Sequence, residues 1–345
     1  MKLRGPVVEV ESSRTVETSH GESELAEVVI RPDRGAGAPT TVTLWGKWTE
    51  TAEILAPGME LLVTDASEST FDGETQYSTT GDSFVVVEPD FLVDVTGIRG
   101  WVQCPRIYYL NKLTGVPLKY PVVKGTIVHE VFGDLLRGRP LEESIETRVS
   151  EAALEVGLLG ETAESVAEEV RENAAAIEGW LEQQTFGSDT WRSEQTLISE
   201  RFGIKGRADA IRNGVPVELK TGKNLKREPR FQDKVQAACY GLLLGEGSAE
   251  TPDTGTLLYT KNGAVDRAEA DGDLSPAKDF SIGPGFLKYV IRTRNEIAAA
   301  EFDHSVPTGY EANAKCEYCF EQDTCMAVAG KLDQESKAGS LGTPV

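Results

Sequence analysis

The chain has 345 residues, enough for one to three domains with true hydrophobic cores. Its formal net charge is −21 at pH 7, so a grip on any polyanion has to be local rather than a property of the whole surface. No apolar run is long enough to span a bilayer, and Met1-Lys2-Leu3-Arg4-Gly5-Pro6 leads into no signal-peptide stretch, which predicts a cytoplasmic protein with no membrane partner. An acidic surface of this kind fits a halophilic protein, kept soluble in a high-salt cytoplasm.

Residues 1–90 read as all-β. Val7 to Val10, Glu27 to Arg31, Thr41 to Trp45, Met59 to Thr64 and Phe84 to Val87 are short β-rich runs separated by turn material such as Ala56-Pro57-Gly58 and Phe71-Asp72-Gly73. Five short strands with a helix-like insert near Thr49 to Leu55 predict a small barrel of the OB type. The run Val42-Thr43-Leu44-Trp45-Gly46, followed by Leu55-Ala56-Pro57-Gly58, resembles the OB-folds of archaeal and eukaryotic single-strand-binding proteins. Trp45, Trp48, Phe71 and Tyr77 are candidate platforms for unpaired bases, and each fits a core position as well.

From Glu88-Pro89-Asp90 the character changes, and residues 91–330 alternate helical and strand patterns. A helical stretch carries Cys104-Pro105-Arg106, and a second, Pro121 to Leu136, carries His129, one of three histidines in the chain. Residues 141 to 186 are helical and acidic: Glu142 to Glu182 holds twelve glutamates against Arg148 and Arg171, a solvated face that would repel DNA. Strand-like Glu194 to Phe202 then leads to Gly206-Arg207-Ala208-Asp209, the turn Asn213-Gly214, and Glu218-Leu219-Lys220. Asn-Gly between alternating runs signals a hairpin, which brings Asp209 and Glu218 together. Two carboxylates at that distance suit Mg²⁺ or Mn²⁺, and Lys220 shares a strand face with Glu218. An ammonium beside a carboxylate-held cation suits phosphodiester hydrolysis; the same residues also fit an ordinary solvated hairpin.

After Lys220 the charge inverts, with Lys223, Lys226, Arg227, Arg230 and Lys234 offering phosphate contacts or a solvated loop. The helix Phe231 to Leu244 carries Gln236 and Tyr240 one turn apart. Thr256 to Thr260 and Ala264 to Ala268 read as a further hairpin, and Gly283 to Phe302 as an amphipathic helix. Cys316, Cys319 and Cys325 form a C-x2-C-x5-C group with Cys104 as a remote fourth, while Cys239 reads as a buried apolar residue. Four thiolates suit a [4Fe–4S] cluster or a structural zinc. Residues 331–345 read as a tail or linker.

Asp209 with Glu218-Leu219-Lys220, followed by Gln236 and Tyr240, resembles the D…ExK core and QxxxY helix of PD-(D/E)xK nucleases of the RecB-like superfamily. The entry around Cys104-Pro105-Arg106 is similar to that of the CRISPR-associated nucleases and of the nuclease half of replication nuclease–helicases. The resemblance implies a restriction-endonuclease-like α/β core, a mixed sheet flanked by helices, behind the OB-type barrel. It implies His129, Asp209, Glu218 and the Leu219 carbonyl as metal ligands, Lys220 as the catalytic cation, and Gln236 and Tyr240 as DNA-contacting and bracing residues. It also implies that Cys104, Cys316, Cys319 and Cys325 hold a [4Fe–4S] cluster rather than zinc. Trp45, Phe71, Lys223, Lys226, Arg227 and Arg230 complete the expected DNA contacts. The expected activity is metal-dependent (exo)nuclease action on single-stranded DNA ends or flaps in replication or repair, a helicase or other repair factor belonging to another chain. CRISPR spacer processing and a non-catalytic single-strand-binding iron–sulfur protein are the alternatives.

Overall fold

Alternating burial makes strands of the first ninety residues. In β1 (Leu3–Val10) Leu3, Gly5 and Val7 face inward, in β3 (Gly21–Ile30) Ala26, Val28 and Ile30 do so, and in β4 (Thr40–Trp45) Val42 and Leu44. The remaining strands here are β2 (Arg14–Thr18), β5 (Glu60–Val63), β6 (Ser67–Phe71), β7 (Glu74–Ser78) and β8 (Val85–Val87), with the short helix α1 (Thr49–Ala52) after β4. The computed structural model describes residues 1–19, 21–32, 35–71, 74–115, 118–184, 189–222, 228–246, 251–260, 276–303, 316, 319 and 321–327, the side chains of residues 71, 74 and 114 excepted.

These strands form one eight-stranded sheet in the order β6-β7-β4-β3-β1-β5-β8, with β2 on β3 and a parallel pairing between β4 and β7. Among the described residues the ladder runs from β6 to β8 with no pairing that closes it into a barrel. After β5, Asp65 takes a left-handed φ of 52° and the chain continues into a hairpin of β6 and β7.

The second sheet is built from β9 (Val93–Asp94), β10 (Trp191–Ser199), β11 (Ile204–Arg212), β12 (Val215–Lys220), β13 (Thr254–Tyr259) and β14 (Ala277–Ser281). Its order is β10-β11-β12-β13-β14, with β9 beside β11. The run β10-β11-β12 is antiparallel, β12 and β13 are parallel, and β13 returns antiparallel to β14. This is the mixed, helix-flanked sheet expected. The partner of β13 starts at Ala277, and the anticipated strand Ala264 to Ala268 lies outside the described residues.

Apolar residues sort the helices onto the two faces of this sheet. One core joins Ile204 and Ala208 of β11 to Ile98 of α2 (Val95–Gln103), Val235 of α8 (Phe231–Glu246) and Val290 of α9 (Pro284–Phe302). The other joins Ala210, Val217, Leu219 and Leu258 to Val128 and Phe132 of α4 (Tyr120–Leu136), Ile145 of α5 (Leu141–Glu151), Val156 of α6 (Ala153–Leu158) and Val170 of α7 (Ala163–Glu182). Cys104 sits in extended conformation at the break between α2 and α3 (Pro105–Thr114). Proline at the first turn of α3 needs no amide partner there, so the break costs little.

The first core does not stop at residue 90. Val28, Leu61 and Val86 of the first sheet belong to the same buried cluster as Ile204 and Ile291. A buried polar pair on α9 reinforces the junction. Arg294, fully buried, donates to the carbonyls of Val87, Glu88, Phe91 and Gly203. Asn295 accepts from the Val87 amide at 3.0 Å and donates to the Val85 carbonyl at 2.7 Å. Burial among carbonyls pulls the Arg294 pKa down to about 9, and the hydrogen bonds keep the buried cation tolerable. Among the described residues no helix is long and apolar enough to cross a membrane.

Candidate active site

The hairpin forms as its turn residues require. Asn213 and Gly214 take φ of 50° and 83°, the pair of positive values that a two-residue turn between right-twisted strands needs. Pairing runs from Arg212↔Val215 to Ala210↔Val217. Beyond it the Asp209 side chain takes the place of a ladder partner: its Oδ2 accepts from the Leu219 amide at 2.8 Å. Gly206, just before, has no room for a side chain, since a Cβ would stand 2.8 Å from Val95 and 3.0 Å from Tyr240.

Four elements converge at this point. His129 of α4 donates from Nδ1 to Asp209 Oδ1 at 2.9 Å. Lys220, on the same strand face as Glu218, donates from Nζ to Glu218 Oε1 and to Gln236 Oε1 of α8, both at 2.7 Å. Tyr240, one turn further along α8, donates its hydroxyl to the Arg207 carbonyl at 2.7 Å. Gln236 and Tyr240 are 5 % and 2 % exposed, and their polar atoms are spent on bracing β11 and β12.

Electrostatics follow from this packing. Burial pushes the Glu218 carboxyl upward, and the neighbouring Asp209 adds to it, reaching about 7 against the pull of Lys220. Burial would raise Asp209 as well, but the charge and hydrogen bond of His129, with Lys220 and the Leu219 amide, bring it below its ordinary value. His129 shows the mirror image: burial pulls it down, and the carboxylate of Asp209 more than restores it. Glu218 Oε2 is buried with no hydrogen-bond partner. A buried carboxylate oxygen left bare is costly and calls for a cation. Two carboxylates and an imidazole are donors that Mg²⁺ or Mn²⁺ accepts. Among the described residues no three His, Cys, Asp or Glu side chains already stand in ligating arrangement around one point.

The four cysteines of the expected cluster are free thiols, each half-buried. They are close enough to feel one another: burial raises the Cys319 pKa, and Cys104, Cys316 and Cys325 raise it further. Arg106 Nη1 lies 3.8 Å from Cys325 Sγ. Cys239 is fully buried in α8, an apolar position as expected.

Of the expected DNA contacts, Lys223, Lys226 and Arg227 and the side chain of Phe71 lie outside the described residues. Arg230 is half-buried, and its Nε has no partner. Trp45 is half-buried, whereas Trp48 is 3 % exposed and packs edge-on against Phe84. Glu194, which with Glu200 the sequence offers as a possible contributor to the site, lies beside it. It lies across from Asp209 in the β10–β11 register, with a left-handed φ of 50°. Its carboxylate is held by Arg137 at 3.3 Å and Arg207 at 3.5 Å. Nothing in the local residue pattern announces that kink.

Known proteins agree in outline. Residues 33–193 match the family described as DNA replication factor Dna2, a span that includes Cys104 and His129 and ends before Asp209. The DNA replication ATP-dependent helicase/nuclease dna2 of Schizosaccharomyces pombe is 24 % identical over 332 residues, covering 87 % of this chain and 22 % of that protein. The DNA replication ATP-dependent helicase/nuclease JHS1 of Arabidopsis thaliana is 21 % identical over 338 residues, covering 85 % of this chain and 24 % of its own. The chain thus spans about a quarter of the length of the curated relatives it matches. The crystal structure of SSO0001 covers 50 % of this chain and 78 % of its own at 20 % identity, with a TM-score of 0.25, too loose to carry an argument. Part of the chain is thus similar to the Dna2 replication-factor family, and most of it to a segment of two replication helicase/nucleases.

Proposed function

We propose that the chain is a Mg²⁺- or Mn²⁺-dependent nuclease that hydrolyses single-stranded DNA at ends or flaps during replication or repair. One observation carries this reading: His129, Asp209, Glu218, Lys220 and Gln236 meet from α4, β11, β12 and α8, leaving the buried Glu218 Oε2 bare. His129, Asp209, Glu218 and the Leu219 carbonyl would hold the cation. Bound there, it would polarise a phosphoryl oxygen and make the attacking water more acidic. Lys220, fixed between Glu218 and Gln236, would orient that water and offset charge developing on the phosphate. Gln236 and Tyr240 would keep the two strands in register under load.

The first sheet serves in this reading as an OB-like single-strand module. Its support is the strand order: β1, β3 and β4 in sequence, a helix before β5, and a parallel β4–β7 pair. The thiol group of Cys104, Cys316, Cys319 and Cys325 would hold a [4Fe–4S] cluster that ties the α2–α3 joint to the chain's end. As thiolates the four would repel one another, and the positive iron–sulfur core would offset that charge. A motor chain or a replication factor would deliver the strand. The test is end-labelled single-stranded and duplex DNA incubated with Mg²⁺ or Mn²⁺ at high KCl, with iron measured in the same preparation. Degradation of the single strand that stops in EDTA is expected, with iron near four per chain. Intact DNA under every metal would refute the nuclease, and stoichiometric zinc without colour would refute the cluster.

A further inference from the structure

A group of aromatic rings lies at the joint between α8 and α9, outside the candidate site. Phe231 opens α8 and is 46 % exposed. Its ring centroid lies 5.7 Å from that of Phe286 and 5.3 Å from that of Tyr289, both on the first turns of α9. Phe286 and Tyr289 stack at 22° with centroids 6.4 Å apart, half-buried behind it.

Cations accompany the rings. Arg230 precedes Phe231, and Lys234 lies one helical turn beyond it. The Arg230 Nε is without a hydrogen-bond partner, and Lys234 makes no ion pair among the described residues. The acid between them, Asp233, is fully buried and already committed to Arg99 at 3.0 Å. Glu228 is the exposed acid of this stretch. In a chain of net charge −21, two cations with no ion pair among the described residues, beside one exposed ring, are a local reversal of the overall field.

We propose that Phe231, backed by Phe286 and Tyr289, is a stacking shelf for the unpaired bases of a single-stranded DNA whose phosphates meet Arg230 and Lys234. The proposal rests on the nuclease reading and deepens it by stating where the strand lies. Phe231 stands five residues, about 7.5 Å along the helix axis, from Gln236, whose Oε1 holds Lys220. The two residues lie on different faces of α8, so a strand on the shelf would have to pass the start of the helix to reach the carboxylates. Stacking tolerates any base, so it supplies grip without sequence preference.

The experiment measures binding of dye-labelled oligo-dT to the full chain in EDTA, where nothing is cut. Phe231→Ala should weaken binding about ten-fold, while affinity for an abasic strand of equal length stays the same. Phe231→Trp should keep the affinity, and its added emission should be quenched when oligo-dT binds. Unchanged oligo-dT affinity in Phe231→Ala, or emission in Phe231→Trp blind to DNA, overturns the shelf; a shelf that serves a protein partner gives that same result. If the wild type neither binds nor cuts oligo-dT, the nuclease reading falls and the shelf with it. Wild-type cleavage with an indifferent Phe231→Ala removes the shelf alone.

Discussion

Two charged clusters hang from the same helix, little more than one turn apart, and they are built on opposite principles. At the far end of α4, Asp134 is fully buried and bound two-handed by Arg148, at 2.8 and 2.9 Å, with Arg137 at 3.5 Å and Arg139 at 3.6 Å around it. Every oxygen has a donor, and Arg148 holds the carboxyl below its ordinary range. At the near end His129 faces Asp209, and Glu218 is left with one oxygen bare and a pKa pushed up to about 7, by burial first and by Asp209 second. The satisfied cluster fixes α5 to α4. The unsatisfied one stores a need that a cation meets. Of the buried polar atoms without a partner, Glu218 Oε2 is the carboxylate oxygen, and it stands beside a second carboxylate and an imidazole.

The sharpest way to separate the clusters is to break each in turn. Lys220→Ala should cut cleavage by about 10²- to 10³-fold with far-UV circular dichroism unchanged; activity within two-fold of wild type would put the chemistry elsewhere. Asp134→Ala should do the reverse, costing about 3 kcal/mol in urea unfolding by orphaning Arg148, while the rate per folded molecule is preserved. A smaller effect separates the clusters by metal. Mn²⁺ at about a hundred times its dissociation constant should stabilise wild type by about 2.7 kcal/mol and Glu218→Gln far less. Equal stabilisation of both would show that Mn²⁺ binds away from Glu218.

The smallest effect is in pH. Asp134 has its pKa lowered from 3.8 by folding, chiefly through the Arg148 hydrogen bonds. Its contribution is therefore present above that ordinary value and is lost as pH falls through the lowered one. The stability gap between wild type and Asp134→Asn should be flat above about pH 5 and close below pH 4. A gap that widens in acid would contradict the assignment.

Much of the near cluster was legible in the residues. Asn213-Gly214 specified the turn, the turn specified the register, and the two-residue spacing of Glu218 and Lys220 put both on one face. Gln236 and Tyr240 lay one helical turn apart for the same periodic reason. The far cluster was not legible: Asp134 and Arg148 sit in two unremarkable helical stretches, and only tertiary packing joins them. The Arg294–Asn295 clamp was equally hidden, because its partners are backbone carbonyls, which carry no residue identity. The first sheet was legible only in part: β2, β6 and β7 are polar, threonine- and serine-rich stretches without the apolar alternation that marks β1, β3 and β4.

The proposed nuclease site needs one divalent ion shared by groups from separate elements, so counting that ion is the most direct test. In an electron paramagnetic resonance titration, wild type should bind one Mn²⁺ per chain at the tightest site, with His129→Ala and Asp209→Asn each weakening that same site. Mn²⁺ binding of unaltered affinity and stoichiometry in both variants would contradict it.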